Sequence, residues 1–185
     1  MNIFLDTSST DFVLFLFNDE FKVLDSIILQ GYKKKVDLIV DQYKDLLQRN
    51  NLTNSDINAY YTNLGPGFFT GVRSSLVFLR TMCMLENKKL FYTNTFFILQ
   101  TQNPNQNTFF IDAQGQKRYF YDKNNASENI KESIEVVVSG DEQITKIDYF
   151  EMKDNFVSYK NIFETDDLLE IEPLYIKMPQ IGELK

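Results

Sequence analysis

One stretch, residues 64–75, constrains the chain more than any other: Leu-Gly-Pro-Gly-Phe-Phe-Thr-Gly-Val-Arg-Ser-Ser. Of the 7 glycines in the protein, Gly65, Gly67 and Gly71 fall inside it, after one apolar run and before a stronger one. That order predicts a strand, a tight turn and a helix start. Pro66 fixes its own φ, and the glycines beside it tolerate conformations closed to other residues, so Gly65-Pro66-Gly67 suits the turn. Thr70 is the expected N-cap, its hydroxyl accepting an amide of the first helical turn, with the remaining amides facing outward where an anion can be held.

Residues 2–5, 12–17 and 21–29 read as strands, with Asn18-Asp19 suited to a short hairpin, so the chain opens on an antiparallel meander. From residue 34 to 50 the period changes. Val36, Ile39, Val40, Tyr43, Leu46 and Leu47 recur at amphipathic-helix spacing, and Asn50-Asn51 ends the run. A strand at 57–62 leads into the glycine stretch, followed by a helix at 72–85, a strand at 90–92 and a short helix at 95–102. Three meander strands followed by strands alternating with helices are the plan of a ribonuclease-H-like unit, the building block of the actin-like ATPase (ASKHA) fold. The expected class is therefore α/β. Asn103-Pro104-Asn105 marks the expected boundary between an N-terminal subdomain, 1–103, and a reduced C-terminal one, 104–185. The latter holds strands at 109–112, 119–121 and 134–138, a turn at Gly140-Asp141, then weak periodicity and an acidic segment at 164–172.

The helix at 72–85 is apolar nearly all round, so it must be covered on two sides. Val72, Leu76, Leu79, Met82 and Cys83 share the face assigned to the sheet. The other face, Val77, Phe78 and Leu85, is assigned to a partner together with Val36, Ile39, Val40 and Tyr43 of the first helix.

Composition removes much chemistry. There is no histidine, hence no Ser-His-Asp triad, no Cys-His pair and no histidine zinc site. The single cysteine, Cys83, lies in an apolar helix, where burial makes a poor nucleophile; it also rules out an intrachain disulfide and fits a reducing, cytoplasmic compartment. No apolar run approaches the ~20 residues that span a bilayer, and no membrane association is expected. Of the formal charge of −7, none comes from residues 1–120, which hold 12 basic and 11 acidic groups; residues 121–185 hold 7 and 15. Such a balance repels phosphate backbones, and Lys33-Lys34-Lys35 reads as a solvated face. The first-strand loop, Asp6-Thr7-Ser8-Ser9, lacks the glycine that lets amides approach a nucleotide phosphate. Asp6 can cap its turn or hold magnesium, and capping is the favoured reading. A nuclease using Asp6 and Asp112 is disfavoured, because the fourth strand carries no carboxylate.

The stretch Gly65-Pro66-Gly67-Phe68-Phe69-Thr70-Gly71-Val72-Arg73 resembles the Gly-Pro-Gly-Ser-Phe-Thr-Gly-(Leu/Val/Ile)-Arg signature of the TsaB family, also called YeaZ, with Phe68 in place of the usual serine. Residues 3–8, Ile-Phe-Leu-Asp-Thr-Ser, look like that family's first-strand motif. Ile111-Asp112-Ala113-Gln114 with Tyr119 resembles its Asp-Ala-Arg...Tyr motif, glutamine replacing arginine, and Pro173-Leu174-Tyr175-Ile176-Lys177 resembles its closing Pro-x-Tyr-x-Arg. Two departures are a shorter second half and Lys33-Lys34-Lys35 where the family often has His-Ser. The resemblance implies a non-catalytic subunit in the synthesis of threonylcarbamoyladenosine on transfer RNA, without a cofactor of its own. It would pair with a TsaD-type transferase through the two helices at 34–50 and 72–85, act with a TsaE-type ATPase, and meet transfer RNA only through the complex. A homodimer in isolation is also compatible. Other classes left open are a small actin-like phosphotransferase and a self-associating structural protein.

Overall fold

The computed structural model describes residues 1–32 and 35–176; Lys33, Lys34 and Lys177, named above, lie outside the described residues. The expected meander forms from β1 (Asn2–Asp6), β2 (Phe12–Phe17) and β3 (Val23–Leu29). A short 3-10 turn leads into α1 (Ile39–Arg49), followed by β4 (Ala59–Asn63), α2 (Phe69–Glu86), β5 (Lys89–Thr93) and α3 (Thr95–Gln102). The five strands make one sheet in the order β3-β2-β1-β4-β5. β1 runs antiparallel to β2, and parallel to β4, which is itself parallel to β5.

Every residue of β1, β2 and β4 is buried, because the sheet is covered on both faces. The two-residue period of the strands sorts their side chains between two cores. Ile3, Leu5, Leu14 and Tyr60 face Tyr43 and Leu46 of α1 and Leu76, Leu79 and Cys83 of α2. Phe4, Val13, Phe15, Phe17 and Tyr61 face the other way. Their cover is Ile98 of α3 together with α4 (Tyr149–Asp154) and the 3-10 helix Phe156–Ile162.

This second cover corrects the division at residue 103. A separate three-stranded antiparallel sheet does follow that point: β6 (Thr108–Asp112), β7 (Lys117–Asp122) and β8 (Ile134–Val138), packed on Phe96 and Leu99 of α3. From Tyr149 onward, however, the chain returns to the first sheet. Glu164 pairs with Tyr92 and closes the outer edge of β5, Ile171 is buried in the first core, and the Leu174 amide donates to the Leu64 carbonyl at 2.8 Å. The boundary separates two sheets but not two independent cores.

The aromatic core carries a pH consequence. Burial pushes the Cys83 thiol up to about 12 and the Tyr61 hydroxyl up to about 12, and it raises Tyr43, whose hydroxyl also meets that of Tyr60 at 3.0 Å. A raised folded-state pKa gives stability that is complete below the unfolded value and is lost as pH climbs toward the folded one, since the unfolded chain then binds fewer protons. The unfolded values are 9.0 for the thiol and 10.0 for tyrosine. The urea midpoint is therefore expected to hold steady from pH 7 to 8.5 and to fall progressively between about pH 9 and 12. An unchanged midpoint at pH 10.5 would contradict it.

Candidate functional site

The glycine stretch packs its turn and the start of α2 onto the loop that follows β1. Asp6 ends that strand almost fully buried, its Oδ1 accepting the Ser8 amide at 2.7 Å, which is the turn cap expected from sequence. Its Oδ2 accepts the Asn63 side-chain amide at 2.9 Å and the Tyr149 hydroxyl at 2.7 Å. The carboxylate is thus bonded by three protein donors. The loss of so many partners would leave a buried charge uncompensated.

Thr7 ties the loop to the helix. Its hydroxyl donates to the Gly71 carbonyl at 2.7 Å and, having spent its one hydrogen, accepts from the Ser75 hydroxyl at 2.7 Å. Asn63 accepts the Gly65 amide at 2.9 Å, and Thr95 donates to the Pro66 carbonyl at 2.9 Å. The loop, the turn and the start of α3 therefore share one buried polar network at the ends of β1 and β4.

The geometry explains the glycines. Gly65 sits at φ +91°, where only glycine is comfortable. Neither Gly67 nor Gly71 is left-handed; their requirement is closeness. A Cβ on Gly67 would lie 2.4 Å from the Ser8 carbonyl oxygen, and one on Gly71 would lie 1.8 Å from that of Thr7.

Thr70 is not the N-cap. α2 begins earlier, with Phe68 as its capping residue and no side-chain capping bond; the Phe68 amide donates instead to the Ser8 carbonyl at 2.6 Å. Docking of the turn onto the first loop starts the helix at Phe69, which leaves Thr70 exposed within the first turn. Arg73 is also exposed, its guanidinium 5.1 Å from the centre of the Phe69 ring. Lys35 departs from the solvated reading. It is only 7% exposed, with its ammonium over the Phe68 ring at 4.7 Å.

The face assigned to a partner divides. Val77 (60% exposed), Leu85 (73%), Val40 and the neighbouring Met84 project into solvent from α2 and α1. Ile39 and Tyr43 do not: both are buried in the chain's own first core, a correction that follows from α1 turning those positions onto the sheet. Phe78 and Val36 are half-buried against the same core, the Phe78 ring 5.2 Å from that of Tyr43 in an edge-on arrangement.

Among the described residues no three His, Cys, Asp or Glu side chains come together as a metal-holding group. Asp6 and Asp112 lie on different sheets, and Asp112 is exposed. Tyr149, which completes the Asp6 site, was missed by sequence reasoning because its helix is 6 residues long. A signal was present: Asp148, whose carboxylate accepts the Phe150 and Glu151 amides, is an N-cap residue standing before an apolar pair.

No protein-family model matches the chain. Over 74 residues it is 30% identical to "Uncharacterized protein MG208 homolog" of Mycoplasma pneumoniae, a match covering 40% of this chain and 38% of that one. Its fold is similar to that of YeaZ from Pseudomonas aeruginosa, with a TM-score of 0.55 and 19% identity over 75% of this chain and 64% of that one. A second structure, described as an uncharacterised protein with similarity to peptidase YeaZ from the same organism, gives a TM-score of 0.56 and 20% identity over 75% and 63%. The chain thus spans less than two thirds of the length of each of these proteins. The α/β fold with a mixed sheet, expected from the order of strands and helices, is similar to that of both solved structures.

Proposed function

We propose that this protein is a TsaB-type accessory subunit, a reduced member of the actin-like fold that has no chemistry of its own and pairs with a TsaD-type transferase in making threonylcarbamoyladenosine on transfer RNA. The carrying observation is the exposed apolar stripe of Val77, Met84 and Leu85 on α2, with Val40 exposed on α1. These side chains belong to regular, well-packed helices, and an exposed apolar face on such a scaffold is what a partner's helices cover.

Two features support an accessory role over an enzymatic one. The loop after β1, which holds phosphate in nucleotide-using relatives of the fold, is occupied by the protein's own Asn63, Ser8 and Tyr149 contacts to Asp6. A peptidase reading, suggested by the description of one structural neighbour, finds no histidine in the chain, and the Cys83 thiol is buried and pushed up to about 12. A TsaE-type ATPase and transfer RNA enter this scheme through the transferase, and the compartment is the cytoplasm.

The test is co-expression with the TsaD-type transferase of the same cell, followed by size-exclusion chromatography. Co-elution is expected. Val77→Glu should weaken it by about 100-fold or more, since an unpaired charge would be buried at the interface. Because Val77 is exposed in the free chain, the variant should melt within about 0.5 kcal/mol of the original. Phe78 is unsuited to this experiment, because its ring rests on Tyr43. Failure of the two proteins to associate, or unchanged association of a folded Val77→Glu, would refute the pairing; a homodimer lost in the variant while the heterodimer persists would assign the stripe to self-association.

A further inference from the structure

The start of α2 is charged the wrong way for a helix. Its N-terminus carries the positive end of the backbone dipole, where acidic side chains are favourable and cations unfavourable. Yet α2 has no acidic residue in its first turn and no side-chain cap. Two cations flank it instead. The Lys35 ammonium lies 4.7 Å from the ring centre of Phe68, the capping residue, and the Arg73 guanidinium 5.1 Å from that of Phe69. In an acidic protein such an arrangement calls for an outside anion.

The burial of Lys35 is a second and independent observation. Only 7% of the residue is exposed, and it forms no ion pair or hydrogen bond among the described residues. Its stem points at the first turn of the helix, with Cε 3.5 Å from where a Cβ on Gly71 would stand. Burial lowers its pKa, opposed by the fields of Asp6 and Asp11. Those carboxylates are engaged elsewhere: Asp6 with Ser8, Asn63 and Tyr149, and Asp11 with the Gly31 amide at 2.9 Å and the Thr10 hydroxyl at 3.1 Å. A buried ammonium without a carboxylate beside it is costly unless an anion joins it.

We propose that Lys35, Arg73 and the first turn of α2, with the exposed Thr70 hydroxyl, form a binding site for a tetrahedral phosphoryl anion, either free phosphate or the phosphate of a small metabolite. The turn is reachable from solvent, since Phe69, Thr70 and Arg73 are all exposed. Arg73 stands one helical turn before Val77 on α2, so the site borders the stripe, yet it does not depend on the subunit role proposed above.

Sodium phosphate is the probe, titrated into the full chain against sodium chloride of equal ionic strength and followed by amide resonances. The Phe69, Thr70 and Gly71 signals are expected to shift and saturate in the millimolar range with phosphate alone. Lys35→Met should weaken that response at least tenfold, and Arg73→Gln, a change at an exposed position that leaves folding intact, about threefold. A parallel titration with ADP separates the sources. Tighter binding than phosphate by tenfold or more, at the same amides, assigns a nucleotide-like ligand, whereas equal or weaker binding assigns free phosphate. Shifts no larger than those of chloride would overturn the proposal. So would a phosphate response of Arg73→Gln equal to that of the original protein, whether or not Lys35→Met folds.

Discussion

Gly71→Ala is expected to lower the unfolding free energy by about 3 kcal/mol or more, although it adds one methyl group to a helix that alanine normally favours. The added carbon would stand 1.8 Å from the Thr7 carbonyl oxygen, and that neighbour is backbone at the end of a fully buried strand, so no side chain can swing aside. Either α2 or the loop must retreat by more than an ångström. That movement also breaks the Thr7 bond to the Gly71 carbonyl and the Thr7–Ser75 contact, leaving buried hydroxyls without partners. Gly115→Ala is the control: nothing lies within 4 Å of its added carbon, and its φ of +63° makes the cost about 1 kcal/mol. Urea unfolding of the two variants decides the matter. If Gly71→Ala costs no more than Gly115→Ala, the contact between helix and loop is not as tight as described.

The second large effect is expected at Phe156, whose removal as Phe156→Ala should destabilise the whole protein by about 3–5 kcal/mol. Its ring is buried and lies 4.8 Å from Phe17, 5.5 Å from Phe15 and 5.7 Å from Phe4, measured between ring centres. These partners come from β1 and β2, so the loss should appear as a single cooperative transition at a lower midpoint. A separate early transition, with the first sheet unaffected, would mean that the C-terminal segment is an independent unit.

Much of the first subdomain was legible in the sequence because its signals are local. Residues 3–5 and 12–17 are unbroken apolar runs, the helix at 34–50 has a clear period, and the glycine stretch punctuates the chain. Capping chemistry alone points to Thr70, whereas the start of the helix is decided by docking of Phe68 and Gly67 onto Ser8, a contact about 60 residues distant in sequence. For Ile39 and Tyr43 the period identifies an apolar face without saying which neighbour covers it, and the cover is the chain's own sheet. The return of residues 149–162 to the first sheet was invisible for a different reason. Two short helices of 6 and 7 residues give little periodicity, and only the packing of Phe156 and Tyr159 on Phe4, Phe15 and Phe17 reveals why so much phenylalanine is present.

The cover supplied by Phe156 and Tyr159 also sets a schedule for the chain as it is made. β1 and β2 leave the ribosome with their phenylalanine face complete, but the helices that cover it follow more than a hundred residues later, a wait of roughly ten seconds at ordinary elongation rates. During that interval the nascent sheet has one face packed by α1 and α2, while of the other face's cover only Ile98 of α3 has been made. The last part of the chain thus acts as the step that commits the first part to its fold, and a ribosome that stalls near residue 140 would release a sticky intermediate in place of a smaller working protein.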